Sequence, residues 1–291
     1  MSYLIPKDYS VLIQEKNILQ IISNDESVRS RAQLAGEAEA QSYLKQKYDI
    51  SQEFKNTNQW DKSFIYKAYD RVYLDANPYI QTNNYIIGNF TVNAGNFYTC
   101  TTNTTGVFNP LHWLLIAPQY TIYYAQYPYL PFEYNKFYNV GDDVFWKNSI
   151  YKAKIATQVI NHNTSIQYGK IEDLPLLNTA PDDPNSGTEY WQFISNYSIQ
   201  ANTDITETTY WTKGDNRDHQ MVLYLTDIVL YHLHTRIAPM NIPEIRVKRY
   251  DDAINWLKMC AEGDVTPNLP LLQPKQGNRI RYGGNIKLIN I

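Results

Sequence analysis

The segment MVLYLTDIVLYHLHTRI, from Met221 to Ile237, is apolar nearly all the way round when it is wound as a helix. A surface helix keeps a polar face, so a helix without one must be enclosed by other structure. The run is broken by Thr226, Asp227 and His232 and is too short to span a bilayer, so a soluble protein is expected. The chain therefore has to supply partners for a buried central helix, and its two ends are where they can come from.

The N-terminal partner is residues 6–54. Pro6 suits a helix start, and Tyr9, Leu12 and Ile13 give a short apolar face. A second short helix is predicted over Lys16–Ile22. Asn24 or Asp25 then caps a longer helix that runs to about Tyr48. On it Ala32, Ala35, Ala38 and Ser42 form a small-residue stripe at helical spacing, where another helix can approach closely. The C-terminal partner begins after Pro239 stops the central helix and Pro243 opens the last one. There Val247, Tyr250, Ile254, Leu257 and Ala261 recur at steps of three and four, and Gly263 is the expected C-cap. Beyond Pro267 and Pro270, NRIRYGGNIKLINI reads as an extended arm able to add a strand to another protein.

Between the ends the character changes. Over residues 55–214 Asn, Thr, Tyr, Gly and Pro dominate, and short β-branched and aromatic runs alternate with turn residues. The text also repeats. GNFTVNAGNFYTCTT, from Gly88, lies beside GDDVFWKNSIYKAKI, from Gly141; each Gly follows a Tyr by three residues (Tyr85, Tyr138), and each copy ends downstream at a Trp (Trp113, Trp191). The second copy holds a long insertion, Val159–Thr188. The expected fold is α+β: a helical domain from residues 1–54 and 215–270, an inserted β-rich region over 55–214 with modules at about 80–130 and 131–200, and an extended arm over 271–291.

No catalytic signature is visible, and an enzyme is not expected: there is no Walker loop, no G-x-G-x-x-G, no H-E-x-x-H and no G-x-S-x-G. His232 and His234 are two apart and point to different helix faces, and the pairs Asp142-Asp143 and Asp182-Asp183 read as solvated turns, so no metal or cofactor is expected. Cys100 and Cys260 read as free thiols, in keeping with a reducing cytoplasm, and no signal peptide is visible. With 19% charged residues and a net charge of -3, the chain is not one that wraps nucleic acid over its whole surface. The 26 tyrosines favour strands and interfaces. Trp113 and Trp191 read as module cores. Trp146, with Tyr98 and Tyr151, is open to either a core or a ligand-stacking role.

The last helix begins with Arg246, Lys248 and Arg249, at the end where the macrodipole disfavours cations. Solvent, the neighbouring Glu244, Asp251 or Asp252, an acidic partner surface and DNA phosphate are all open as what these charges face.

The order of the ends is a Pro-Lys-Asp-Tyr opening, then AQLAGEAEAQSYLKQKYDI, the apolar helix, and EIRVKRYDDAINWLKMCAEGDVTPNLP. It resembles the head–tail connector (adaptor) family of tailed bacteriophages, in its Mu-like branch. The shared pattern at the last helix is Arg249, Tyr250, Asp251, Ala253, Trp256, Leu257 and Gly263, and the likeness does not extend over residues 55–214. The inserted text is similar to the small β modules of chitinase-type carbohydrate-binding domains. What the resemblance implies is a virion neck protein, of the kind found in large gut (crAss-like) phages and made in the host bacterial cytoplasm. It would form a homo-oligomeric ring, usually a dodecamer, beneath the portal protein, offer a platform to the next tail or neck protein, and extend a channel through which DNA slides without sequence-specific binding. Subunit or portal contacts would then fall on Arg246, Lys248 and Arg249 and on the arm residues Arg279, Arg281, Tyr282, Ile286 and Leu288. The insertion would meet fibre proteins or carbohydrate through Tyr98, Trp146 and Tyr151; a carbohydrate- or fibre-binding protein of the virion surface is the alternative function.

Overall fold

The computed structural model describes residues 2–51, 53–126, 129–133, 136–156, 180–184, 187–237 and 242–272. The fold is α+β. A 3-10 turn at Pro6–Val11 leads into helices α1 (Glu15–Ile21) and α2 (Glu26–Leu44); α3 (Gly187–Tyr190) is a single turn within the β region, and α4 (His219–Ile237) and α5 (Glu244–Glu262) follow it. The arm residues Arg279, Arg281, Tyr282, Ile286 and Leu288 lie outside the described residues, as does most of the long insertion in the second repeat. Among the described residues, no helix is long and apolar enough to cross a membrane.

The central helix is enclosed by the two chain ends. Met221, Leu225, Ile228, Val229 and Leu233 of α4 are buried, in one cluster with Tyr9, Ile18, Val28, Ala40 and Leu44 from the N-terminal side and Ala253, Leu257 and Cys260 of α5. Ser23 and Asn24 turn the chain at φ 55 and 57, and Asp25 then caps α2 by accepting from the Ser27 N–H at 2.9 Å. At the other end Gly263 takes φ 100 and donates its N–H to the Met259 carbonyl at 2.9 Å, the left-handed cap the sequence predicts.

The close approach between α2 and α4 runs through Gly36, not through the alanine stripe. A Cβ built on Gly36 would lie 2.9 Å from Val229 Cγ2 and 3.3 Å from Ile228 Cγ2. Ala35, Ala38 and Ser42 are exposed, and Ala32 is only half-buried. The buried line is Gln33, Gly36, Glu37, Ala40 and Leu44. Polarity misled here because both polar members have buried partners. The Gln33 amide donates to the Tyr9 hydroxyl at 2.9 Å, and Glu37 accepts from the Ser2 hydroxyl at 2.6 Å and the Tyr3 N–H at 2.8 Å.

Among the described residues the β region shows three copies of one module, where the sequence predicts two. The strands are β1 (Thr57–Gln59), β2 (Arg71–Tyr73), β3 (Phe90–Asn93), β4 (Asn96–Cys100), β5 (Trp113–Pro118), β6 (Ile122–Ala125), β7 (Leu130–Pro131), β8 (Asp143–Trp146), β9 (Ser149–Ala153), β10 (Trp191–Asn196) and β11 (Trp211–Lys213). They form three sheets, in the orders β1-β2-β6-β11, β3-β4-β5 and β10-β9-β8-β7. In each, a hairpin is followed by a strand that opens on Trp, set opposite Ala125, Cys100 or Ala153. The second module sits in the loop between β2 and β6 of the outer one, and the third sits in the loop between β6 and β11. Strand β6 therefore belongs to the outer module, although it falls within the 80–130 span expected for one copy.

Equivalent residues make equivalent contacts. The hydroxyls of Tyr66, Tyr85 and Tyr138 accept from the N–H groups of Asp61, Ile80 and Glu133 at 2.7, 2.9 and 2.8 Å. Three residues on, Tyr69, Gly88 and Gly141 have φ 65, 89 and 94. Their N–H groups donate across the hairpin to Ala125, Cys100 and Ala153 at 3.1, 2.9 and 2.8 Å. Each tyrosine meets the module tryptophan edge-on: Tyr66–Trp211 at 5.2 Å, Tyr85–Trp113 at 5.2 Å and Tyr138–Trp191 at 5.3 Å between centroids. Trp113 and Trp191 are thus core residues.

Replacing Gly36 by Val should lower the free energy of unfolding by about 1–3 kcal/mol through overpacking against Val229, whereas Ala38→Val should shift it by less than roughly 0.5 kcal/mol. Denaturant titration of the two variants compares them directly, and an equal effect would contradict the packing described.

Candidate functional site

The basic run at the start of α5 faces Asp227 on α4, not an acid of its own helix. Arg246 Nη1 lies 3.7 Å and Arg249 Nη1 3.4 Å from the same Asp227 Oδ1 on α4, and Arg246 Nη2 donates to the Leu12 carbonyl at 3.0 Å. Asp227 is only 5% exposed, so its charge is largely removed from water. Burial pushes its carboxyl above the usual value despite the two guanidiniums, and burial likewise lowers Arg246. Lys248 is exposed and makes no ion pair among the described residues. A lone acid in the middle of an otherwise apolar helix was the signal available: buried Asp residues need a cation.

Beside this pair a groove of about 600 Å³ runs between α4 and α5. It is lined by Leu223, Tyr224, Asp227, Arg249, Asp252, Asn255, Trp256 and Met259. Tyr224 and Trp256 form its floor, with ring centroids 4.8 Å apart. Leu223 and Met259 are each 41% exposed at its rim. Further along α4, His232 Nε2 lies 2.9 Å from Glu39, whose other oxygen accepts from the Tyr250 hydroxyl at 2.6 Å. His234 Nδ1 instead meets the Leu230 carbonyl at 2.7 Å, so the two histidines do diverge.

A second polar centre joins the helical core to the β region. Arg217 is 4% exposed and uses its whole fork: Nε and Nη2 bond Asp215 at 2.9 and 2.8 Å, and Nη1 and Nη2 bond Asp8 at 2.7 and 3.0 Å. Nη1 also donates to the Tyr3 carbonyl at 2.9 Å. Burial opposes ionisation of Asp215, but the hydrogen bonds and charge of Arg217 outweigh it and hold this carboxyl below the usual range. Next to this centre a cleft of about 840 Å³ opens between the 3-10 turn, α4 and the outer sheet, with Lys7, Lys213 and His219 among its walls.

The candidate aromatics of the insertion are half-buried and engaged. The Trp146 indole donates to Asp182 at 2.6 Å, the Lys147 ammonium lies 5.3 Å from its ring centroid, and Phe132 meets it edge-on at 5.2 Å. Tyr151 packs on Phe193 at 5.7 Å, and Tyr98 on Phe108 at 5.2 Å. Trp146 and Tyr151 share one face of the β8–β9 hairpin and pack against the same core cluster, whereas Tyr98 holds the position equivalent to Tyr151 in a different module. Both cysteines are free and buried, and burial pushes the Cys260 thiol up to about 11. Compared with known proteins, the chain matches no protein-family model and no curated protein.

Reversing Arg246 to Glu places a second carboxylate beside Asp227 and should cost about 3–5 kcal/mol of stability, while Lys248→Glu should change it by less than roughly 0.5 kcal/mol. Thermal melts of both would expose an error if Lys248→Glu proved the worse. The Asp215 carboxyl is depressed in the folded state, so its contribution is present above the ordinary value of 3.8 and is lost as pH falls through the lower folded value. Tm should therefore drop as pH is taken below about 4, and Asp215→Asn should flatten that drop; an unchanged slope would remove Asp215 from the account.

Proposed function

We propose that the protein is a structural ring component of a phage neck, which joins the portal to the tail and extends the DNA channel. The observation that carries this reading is how the two chain ends are used. Both build one helical core, and everything between them returns to its point of departure: the Glu53 carboxylate accepts from the Asp218 N–H at 2.8 Å. A core closed in this way can pack side by side with its copies while the modules project away from the contact. Heterologous contacts between copies close into a ring when the rotation per subunit divides the circle.

The sequence resemblance to phage connectors implies the same arrangement for the helical ends. Within it, Lys248 and the α4–α5 groove are the surface offered to the next subunit or the portal, and Arg246 and Arg249 act from behind by holding Asp227 in place. The arm residues would grip a neighbouring subunit or the portal. The protein acts by assembly, not by catalysis, and DNA passes without specific binding. Carbohydrate binding draws less support, because Trp146 is already bonded to Asp182 and packed by Lys147 and Phe132.

Purified protein should form closed rings in negative stain, alone or on addition of the portal protein. The double variant Lys248→Glu/Met259→Glu should fold and fail to close them. Wild-type protein that stays monomeric with portal present would overturn the reading.

A further inference from the structure

The cleft of about 840 Å³ beside Arg217 falls within the roughly 300–1,000 Å³ of small-molecule sites. Three separate parts of the chain wall it: the 3-10 turn at Pro6–Val11, the start of α4, and the sheet end where residues 120–122 meet residues 213–215. It lies at the seam between the helical core and the β region, and seams of this kind commonly hold ligands. Its walls are fixed before anything binds. Arg217 ties Asp8 of the turn to Asp215 of the returning chain at 2.7 and 2.8 Å, and the Gly214 N–H donates to the Ile122 carbonyl at 2.9 Å.

Two chemistries share the lining. Ile5 and Ile122, 2% and 6% exposed, form an apolar floor with the half-buried Val222. Val11, 78% exposed, and Leu223, 41% exposed, carry that surface out to the rim. The second chemistry is positive charge. Asp8 and Asp215 also line the cleft, but Arg217 engages both oxygens of each: Asp8 at 2.7 and 3.0 Å, Asp215 at 2.9 and 2.8 Å. Lys7 and Lys213 are exposed and make no ion pair among the described residues. Lys7, Lys213 and Arg217 thus stand against two carboxylates, a net charge of about +1 with His219 neutral.

The occupant has to answer both. An acidic surface alone meets the lysines and leaves the apolar floor in water. A neutral apolar group covers the floor and leaves the lysines without a counter-ion. A single side chain reaching in from a partner surface would leave most of the cleft unfilled, and unfilled apolar space is costly. We propose that the cleft binds a small amphipathic anion, its apolar body over Ile5, Ile122 and Val222 and its charged head paired with Lys7 and Lys213. Lys7 belongs to the helical end of the chain and Lys213 to the last strand of the β region, so one bound head group would link the two. Binding here requires neither ring closure nor a portal.

The test is isothermal titration calorimetry on the full chain with three probes. Dodecanoate has both features, dodecyltrimethylammonium keeps the chain and reverses the charge, and acetate keeps the charge without the chain. Dodecanoate is expected to saturate at one equivalent, with each of the others weaker by about tenfold or more. Lys7→Gln/Lys213→Gln removes the charge-assisted contacts and Val11→Asp sets a carboxylate at the rim, so each should weaken dodecanoate by about tenfold or more. All three positions are exposed, so circular dichroism melts should coincide with the wild type, and rings should still form. Dodecanoate that does not saturate at one equivalent, variants that bind it unchanged, or an ammonium probe that binds as tightly would each overturn the proposal. Rings lost in the lysine variant, with no dodecanoate bound by the wild type, would assign the cleft to a neighbouring subunit and overturn it as well.

Discussion

Tyr3 holds the two halves of the molecule together. Two guanidiniums lie over its ring, Arg71 at 5.2 Å from the β side and Arg217 at 5.5 Å from the approach to α4. Its hydroxyl bonds the Glu53 carboxylate, which also receives the Asp218 N–H. Arg71, on β2, is 2% exposed and donates to the carbonyls of Glu53 and Lys55. One aromatic ring thus fixes the point where the chain leaves the helical core, the point where it returns, and strand β2 of the outer sheet. A desolvated cation–π contact contributes about 2 kcal/mol. Buried ionic groups held by this many hydrogen bonds also disfavour other arrangements, because a shift strands a charge. The outer module inherits its orientation from this joint, and the other two inherit theirs from the outer module.

The nesting of the modules follows from how little each needs. Its fixed parts are a tyrosine, a left-handed residue three positions on, a hairpin and a tryptophan. Loops between those parts are free to grow, and the outer copy has accepted a whole module in each of two loops. Its left-handed position is Tyr69 where the other copies have Gly88 and Gly141. That substitution, together with a hairpin split by an inserted module between Tyr73 and Ile122, hides the outer copy from sequence comparison. The spacing that persists is Tyr66 to Tyr69, the same three-residue step as Tyr85 to Gly88, and it was the one trace left to find.

What the sequence made legible was whatever a single segment decides. The apolar circumference of α4 demanded burial, Gly263 ended α5, and the Gly88 and Gly141 repeats fold alike. What it hid depended on partners far along the chain. Gln33 and Glu37 are buried because Tyr9 and the Ser2–Tyr3 backbone meet them, so the face of α2 turned inward is the one that looks polar. Arg246 and Arg249 sit at the unfavourable end of their helix because Asp227, on another helix, supplies the countercharge that the macrodipole does not. In both cases a local rule is overridden by a buried tertiary contact, and such contacts are stronger than the few tenths of a kcal/mol that set helix-end preferences for exposed charges.

The tyrosine content takes on a different meaning in this light. Read alone, 26 tyrosines suggest sticky surface. In the modules many of them close loops instead. Tyr66, Tyr85 and Tyr138 each accept from the backbone five residues upstream, Tyr79 donates to Gly106 at 2.9 Å, and Tyr197 donates to Gln126 at 2.9 Å. A module of a few short strands buries too little apolar surface to hold itself by burial alone. A tyrosine adds a large apolar ring to such a core and, from the same side chain, a hydrogen bond that pins the adjoining loop. Aromatic residues used in this way are not available for stacking on a ligand.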